Sequence, residues 1–190
     1  MDQANSLGRL SFSKRVKLWG TRCIERLFFR RAIDDLTRVL GGHIFFVTLA
    51  AAARLDLFTL LKKEGPLSEE AVAARLGLQP QPTRILLLGC VALGLIERKA
   101  GQYRVKGLAR RLLDRHEPRN ILPIIDWQYE INYQALHAFP EALKANQNTG
   151  LAVFPGTEPT LYQRLAHQPA LEQVFQRAMQ SICIFLAYAI

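Results

Sequence analysis

Apolar residues recur at three- and four-residue intervals through residues 10–40, and this spacing predicts one or two amphipathic helices. The periodic positions are Val16, Trp19, Cys23, Leu27, Phe29, Ile33, Leu36 and Leu40. Many of the positions between them hold lysine or arginine. Gly41-Gly42 predicts the end of this segment, because paired glycines terminate helices. An apolar stripe of this length predicts a partner surface, in cis or on another subunit.

From residue 43 onward, the pattern predicts a sequence of short, well-capped elements. An apolar helix is predicted over residues 43–63, closed by Gly65-Pro66. Ser68 is a predicted N-cap for a short helix over 69–76, because its hydroxyl can accept a bond from the helix start. Gly77 is expected to end that helix.

A third helix and a hairpin follow. Thr83 is expected to cap a helix that reaches about residue 93. Apolar and polar residues then alternate through residues 95–98 and 102–105, on either side of Ala100-Gly101. This pattern predicts two short strands joined by a tight turn. A helix, a helix–turn–helix and a two-stranded wing together predict a winged helix.

The remainder of the chain is predicted to be helical, without further strands. A short helix is expected over 108–113, and a longer one over 120–144, with a kink at Pro140. A loop over 145–158 precedes helices at 160–167 and 169–190.

These elements predict a mainly α fold in three parts. Residues 1–42 form basic amphipathic helices, residues 43–116 the winged-helix domain, and residues 117–190 a helical linker region. The run 182–190 is apolar to its end, so we expect a further domain to follow it.

Composition excludes several classes of protein. The chain of 190 residues is 49% hydrophobic and 22% charged, which suits a folded domain. Its best membrane-spanning candidate, residues 44–61, contains Arg54 and Asp56, so a buried helix is expected instead. Three widely spaced cysteines, Cys23, Cys90 and Cys183, predict reduced core thiols in a cytoplasmic protein, with no metal site.

The net charge of +9 raises nucleic acid and anionic membranes as alternative partners. Lysine and arginine concentrate in residues 1–40 and 84–119, and a basic amphipathic helix can bind a membrane surface. After Arg84, however, the third helix offers no charged or hydrogen-bonding side chain that could read DNA bases. Arg98, Lys99 and Arg104 remain able to contact phosphates. Protein–protein contact is the favoured use of this helix, and nucleic acid is not the expected partner.

Several short motifs, taken in order, resemble the N-terminal dimerisation domain of small-molecule S-adenosylmethionine-dependent O-methyltransferases of the caffeate and hydroxyneurosporene type. The motifs are Ala50–Arg54, Leu57-Phe58, Gly65-Pro66-Leu67-Ser68, Ala74–Gly77, Val91–Leu95, Gly101-Gln102-Tyr103, Phe139–Leu143, Val153-Phe154, Leu161-Tyr162 and Phe175–Met179. The resemblance covers about residues 41–190.

The resemblance implies that a Rossmann-like domain is missing from this sequence. That domain would supply the glycine-rich turn for S-adenosylmethionine and the catalytic histidine. No strand followed by Gly-x-Gly occurs here, so no cofactor-binding or catalytic residue is expected in this chain. His43, His116, His137 and His167 do not match the catalytic position, and no carboxylate partner is predicted for any of them.

The resemblance also implies a homodimer whose linker helices cover a small-molecule acceptor. Phe175 and Met179 are the candidate acceptor contacts, and Phe154 and Trp127 are weaker candidates. Core packing is the alternative for all four. The implied activity is methyl transfer to a hydroxyl of a small aromatic or polyketide-like molecule, with this chain inactive alone. A free-standing winged-helix regulator or a catalytically retired interaction protein is the competing hypothesis.

Overall fold

The computed structural model describes residues 12–187, with side chains from residue 29 onward except that of residue 185. The fold is mainly helical, with one small antiparallel sheet. The winged-helix-like part contains α1 (Phe12–Arg54), α2 (Leu57–Glu64), β1 (Leu67–Ser68), α3 (Glu69–Leu76), α4 (Pro80–Ala92), β2 (Ile96–Lys99), β3 (Gln102–Val105) and α5 (Ala109–Leu112). The linker part contains α6 (Leu122–Trp127), a π-helix (Gln128–Asn132), α7 (Tyr133–Ala135), a 3₁₀ helix (Leu136–Ala138), α8 (Phe139–Ala145), a second 3₁₀ helix (Thr149–Val153), α9 (Leu161–Leu165) and α10 (Pro169–Ala187).

Helix α1 runs through Gly41-Gly42, so the predicted helix end at these glycines is wrong. Neither glycine has a positive φ, and glycine permits left-handed backbone without requiring it. The break falls instead at Asp56, whose φ of 56° is left-handed. The single helix predicted over residues 43–63 is therefore two helices, α1 and α2.

The caps of α3 are confirmed. The Ala71 amide donates to the Ser68 hydroxyl over 3.2 Å, and Gly77 ends the helix with a φ of 65°. The predicted cap of the next helix is wrong, because α4 begins at Pro80, which needs no amide donor in the first turn. Thr83 is buried inside α4, and its hydroxyl donates to the Gln79 carbonyl over 2.9 Å.

The wing is a three-stranded sheet of order β1-β3-β2. Ile96 pairs with Val105 in the predicted hairpin, and Leu67 pairs with Tyr103 across the other edge of β3. The expectation of no strand outside the hairpin is wrong, because the short segment that precedes α3 can satisfy the free backbone groups of β3.

The long helix predicted over residues 120–144 is divided into five short elements, α6 to α8. Pro140 lies in the first turn of α8, as its missing amide requires. The segment 145–158, predicted as a loop, contains the 3₁₀ helix Thr149–Val153.

The chain divides into two compact units, residues 1–44 and residues 45–190. The second unit has two apolar clusters. One surrounds Phe58, Leu87 and Tyr103 in the winged-helix-like part and also includes Leu122 and Ile125 of α6. The other lies within the linker part and surrounds Ile131 and Leu165.

Within the described residues, one helical segment, Phe29–Arg54, is long and apolar enough to span a membrane by length and composition alone. An 18-residue stretch within it has a mean hydropathy of 1.5, and 17% of that stretch is buried. The sequence did not predict this segment. The predicted apolar run began at Ile44, because the preceding glycines were expected to end a helix. A continuous helix adds Leu36, Val39 and Leu40 to the run.

Candidate functional site

One face of α1 carries large apolar side chains that the chain itself does not cover. They recur at helical spacing and are each 45–69% exposed. This α1 stripe consists of Phe29, Ile33, Leu36, Leu40 and Ile44. The predicted members Val16, Trp19, Cys23 and Leu27 lie outside the residues whose side chains the structure describes. An exposed apolar stripe of this length marks a contact surface.

A second apolar surface lies in the winged-helix-like part, where α4 packs beside the last turns of α1. It is a groove of about 410 Å³, lined almost entirely by apolar atoms. We call it the α4 groove; its lining residues are Val47, Thr48, Ala51, Leu55, Leu78, Pro82, Ile85 and Leu86. Ile85 is 64% exposed, and the nearby Leu88 is 57% exposed. The outward face of α4 is therefore apolar, as the sequence predicts, and suits a protein partner better than a nucleic-acid groove.

Several basic side chains of the winged-helix-like part are engaged in surface ion pairs. Arg84 contacts Glu69 over 3.0 Å, and Arg104 contacts Glu97 over 2.6 Å. Arg98 lies over the ring of Tyr103, 5.6 Å from its centroid, which is within the reach of about 6 Å for a cation–π contact. These contacts reduce the charge that is available to an anionic partner.

The four candidate acceptor residues lie together in the linker part. Trp127 and Phe175 meet edge to face with 6.3 Å between ring centroids. Phe154 and Phe175 are buried in the second apolar cluster, and Met179 is half-buried against it. Tyr162, which the sequence prediction did not include, also meets Phe175 edge to face, at 4.7 Å.

The indole N–H of Trp127 is buried without a hydrogen-bond partner. Tryptophan N–H groups in protein interiors are usually paired. The apolar cluster thus holds one unused donor, which a polar atom of a bound molecule can satisfy.

Arg164 of α9 fixes the segment that brings Phe154 into this cluster. Its guanidinium donates to the carbonyl oxygens of Leu151 and Glu158, each over 2.7 Å, and to that of Phe154 over 3.3 Å. The carbonyls of Phe154 and Glu158 lie outside the helices and strands, and that of Leu151 also accepts from the Phe154 amide over 3.0 Å. One side chain thus bonds three carbonyls of this segment.

A histidine–carboxylate pair lies in the same region. His167 Nε2 is 2.7 Å from Glu158 Oε1, so the expectation that no histidine has a carboxylate partner is wrong for His167. The hydrogen bond from His167 lowers the pKa of Glu158. The residues are nine positions apart and meet only because the chain turns between them, so the sequence offers no periodic signal for the pair.

The end of α1 is tied to the linker part by Arg54. Its guanidinium forms ion pairs with Glu130 and, at 3.6 Å, with Asp126. It also lies 5.0 Å from the ring centroid of Tyr129. Burial raises the pKa of Asp126, and the positive charge of Arg54 opposes that effect.

The cysteines divide between two environments. Burial raises the pKa of the Cys90 thiol to about 12, which leaves it protonated and unreactive. Cys183 is exposed, so the prediction that it is a core thiol is wrong; it lies on the outer face of α10. Cys23 lies outside the residues with described side chains. Among the described residues, no group of three or more His, Cys, Asp or Glu side chains can hold a metal ion.

Comparison with known proteins shows which class of protein this chain resembles. The family model for the O-methyltransferase dimerisation domain matches residues 37–115. L-tyrosine C(3)-methyltransferase of Streptomyces lavendulae is 32% identical over 149 residues, which are 78% of this chain and 41% of that protein. Acetylserotonin O-methyltransferase of Bos taurus is 27% identical over 152 residues, covering 77% of this chain and 44% of that protein.

Solved structures agree. The apo form of the S-adenosylmethionine-dependent methyltransferase SibL superposes with a TM-score of 0.74 and 39% identity, over 80% of this chain and 44% of that one. Human N-acetylserotonin methyltransferase with bound S-adenosylmethionine gives a TM-score of 0.71 and 26% identity. The chain spans less than half the length of these relatives.

Residues 37–115 therefore belong to the O-methyltransferase dimerisation-domain family. The relatives of the chain are S-adenosylmethionine-dependent methyltransferases of small molecules, and it matches only their N-terminal part.

Proposed function

We propose that this chain is the dimerisation and acceptor-lining part of a methyltransferase that uses S-adenosylmethionine to methylate a small aromatic or polyketide-like molecule at a hydroxyl group. The observation that carries the proposal is the exposed apolar surface of the dimerisation domain, namely the α1 stripe and the α4 groove. On this proposal, a second copy of the chain covers both surfaces.

The free energy gained by burying the α1 stripe supports a protein partner. Full burial of a large apolar side chain contributes about 1.5–3 kcal/mol, and the α1 stripe alone offers five such side chains. A two-fold interface buries each of these surfaces twice, once on each copy. A lipid membrane is the alternative partner for the α1 stripe, since the helix is also long and apolar enough to span a membrane.

The acceptor role is proposed for Phe175, Met179, Phe154 and Trp127. Support comes from their meeting in one cluster, which also contains the buried and unpaired N–H of Trp127. The hydroxyl as methyl acceptor is supported by the family and by the bovine relative, while the Streptomyces lavendulae relative is named for methylation at carbon. On this proposal, S-adenosylmethionine and the catalytic base belong to a Rossmann-like domain outside the present sequence.

Sedimentation equilibrium at micromolar concentration tests the dimer. The intact chain is expected to sediment as a dimer, and Ile85→Asp is expected to weaken association at least tenfold, because it places a charge in the α4 groove. Leu108→Asp is the matched control, since Leu108 is equally exposed at 67% but does not line the groove. A monomeric intact chain, or equal effects of the two substitutions, contradicts the proposal. Flotation with anionic vesicles then tests the lipid alternative.

A further inference from the structure

The π-helical turn Gln128–Asn132 keeps three apolar side chains of the linker part on one face. Trp127, Ile131 and Ala135 recur every four residues, and all three pack in the second apolar cluster. In an α-helix of about 3.6 residues per turn, each step of four residues rotates a side chain about 40° out of line, and two steps rotate it about 80°. A π-helical turn takes in more residues, because its hydrogen bonds join residues five apart. The π-helical turn therefore keeps Trp127 in line with Ala135.

Arg54 of α1 contacts this turn and the residue before Trp127. Its guanidinium forms ion pairs with Glu130 and, at 3.6 Å, with Asp126, and it lies 5.0 Å from the ring centroid of Tyr129. Asp126 belongs to α6, while Tyr129 and Glu130 lie within the π-helical turn. One planar guanidinium thus joins the end of α6 to the turn that follows it. A lysine ammonium, which is a compact point charge, can reproduce this arrangement only in part.

The two carboxylates that Arg54 contacts repel each other. Asp126 and Glu130 are four residues apart, a spacing at which like charges destabilise a helix. Burial raises the pKa of Asp126 and the charge of Glu130 adds to this effect, while the positive charges of Arg54, Arg115 and Arg177 oppose it. Among the described residues, Arg54 is the cation that forms ion pairs with both carboxylates. Its removal leaves their repulsion free to open the turn.

The last turns of α1 contact the linker part and the α4 groove at once. Phe46 stacks on Tyr133, the first residue of α7, with 5.3 Å between ring centroids. Together with Arg54, it brings α1 against residues before, within and after the π-helical turn. Ala51 and Leu55, in the same stretch of chain, line the α4 groove. The segment that lines the proposed dimer surface therefore also holds the helix that carries Trp127.

We propose that Arg54 is a positioning residue, which holds the π-helical turn closed and thereby keeps Trp127 in the second apolar cluster, edge to face with Phe175. Exposed ion pairs contribute little to overall stability, and the Arg54 side chain is 44% exposed. Its loss therefore moves Trp127 without unfolding the chain. The inference rests on the proposed function only in that Trp127 is one of the candidate acceptor residues.

Tryptophan fluorescence of the full 190-residue chain tests the proposal. The sequence contains two tryptophans, so Trp19→Phe leaves Trp127 as the reporter. In this background, Arg54→Met is expected to shift the emission to longer wavelength and to raise the acrylamide quenching constant about twofold, because local opening brings the indole into water. Arg75→Met is the matched control, since Arg75 is also exposed and pairs with another helix, through Glu64 at 2.9 Å. The control is expected to change neither quantity.

Arg54→Lys separates positioning by charge from a general loss of packing. It keeps a cation between the two carboxylates, so it is expected to restore about half or more of the change in emission. Hydrogen exchange followed by mass spectrometry is expected to be faster in residues 126–135 of Arg54→Met, with α3 unchanged. The midpoint of urea unfolding is expected to match that of Arg75→Met.

Emission and quenching that are the same in Arg54→Met and Arg75→Met overturn the proposal. Failure of Arg54→Lys to restore the emission also overturns it, as does exchange that increases equally in α3, because Arg54 then acts only through overall stability. Sedimentation measures dimerisation separately, and the fluorescence is recorded without any acceptor. A monomeric chain therefore contradicts the proposed function without deciding the role of Arg54.

Discussion

Gly89 of α4 lies directly against Thr48 of α1. A Cβ built at Gly89 would stand 2.6 Å from the Thr48 γ-methyl carbon, far inside van der Waals contact. The γ-methyl group is attached to a β-branched side chain that has little freedom to move. The close approach of these two helices at the α4 groove thus depends on the absence of a side chain at residue 89.

Gly89→Ala is expected to destabilise the chain by about 1 kcal/mol. Overpacking costs about 1–3 kcal/mol, and the gain in helix propensity offsets about 1 kcal/mol of it. Thr48→Ser removes the γ-methyl group and keeps the hydroxyl, so Gly89→Ala is expected to be neutral or stabilising in that background. Urea unfolding of the four variants at one fixed protein concentration measures the coupling. A penalty that Thr48→Ser leaves unchanged would contradict this packing.

Lys62 connects α2 to the segment after α5 through two carboxylates. Its ammonium group contacts Asp114 at 2.6 Å and also Glu117. Asp114 is 7% exposed. Burial raises the pKa of its carboxyl, but hydrogen bonds from Lys62 and the His116 amide more than compensate, so the pKa is lowered.

The stabilising effect of this carboxylate is expected to be pH-dependent. Because the pKa of Asp114 is lower in the folded state, its ionised carboxylate stabilises the fold above the pKa of the unfolded state, which is about 3.9 for aspartate. This stabilisation is lost as the pH falls through the folded-state pKa. Lys62→Met should therefore lower the Tm at pH 7, with a difference from wild type that shrinks below about pH 4. Lys63→Met is the control, because Lys63 is exposed and forms no ion pair with the described residues. Thermal melts at several pH values test this, and a Tm difference independent of pH would contradict it.

Loss of the Arg164 side chain is expected to loosen residues 151–158. Arg164→Met removes three hydrogen bonds to carbonyl oxygens, each contributing about 1 kcal/mol. Hydrogen exchange followed by mass spectrometry should then show faster exchange in this segment, with α3 unchanged. Arg177→Met is the control, because among the described residues Arg177 donates to Gln173 on its own helix and to no carbonyl of residues 151–158. Equal exchange in the two variants would show that Arg164 does not hold the segment.

DNA binding by this chain is expected to be weak, independent of sequence and steeply dependent on salt. The outward face of α4 is apolar, while Lys106 and Arg110 near the wing are exposed and can contact phosphates. Converting both to glutamine should reduce the slope of log K against log salt by about 2. Fluorescence anisotropy with two unrelated duplexes measures this. A strong sequence preference at physiological salt would favour the regulator hypothesis.

S-adenosylmethionine is expected not to bind the 190-residue chain with micromolar affinity. The described strands are two to four residues long and lie in an antiparallel wing, whereas the glycine-rich turn of a Rossmann-like domain follows a parallel strand. Isothermal titration tests this expectation. One site per chain at micromolar affinity would contradict it.

Local chemistry made part of the fold predictable. Ser68 and Gly77 bound α3 where the sequence places them, because caps act within a few residues. The wing hairpin follows similarly from alternating residues around Ala100-Gly101. By contrast, Gly41-Gly42 and Thr83 were misassigned, since each residue type is compatible with helix interiors and with helix ends alike.

The sequence by itself determined the helical character, the winged-helix-like order of elements and the apolar outward face of α4, because periodicity and capping are properties of neighbouring residues. The family followed from the resemblance of its motifs. The sequence also singled out Phe175 and Met179, which lie one turn apart on α10.

Tertiary structure alone decided what meets across the chain. It brings Trp127 and Tyr162 to Phe175 and pairs His167 with Glu158. These features depend on contacts between distant segments, whose burial and hydrogen bonding outweigh local preferences of a few tenths of a kcal/mol to about 1 kcal/mol per residue.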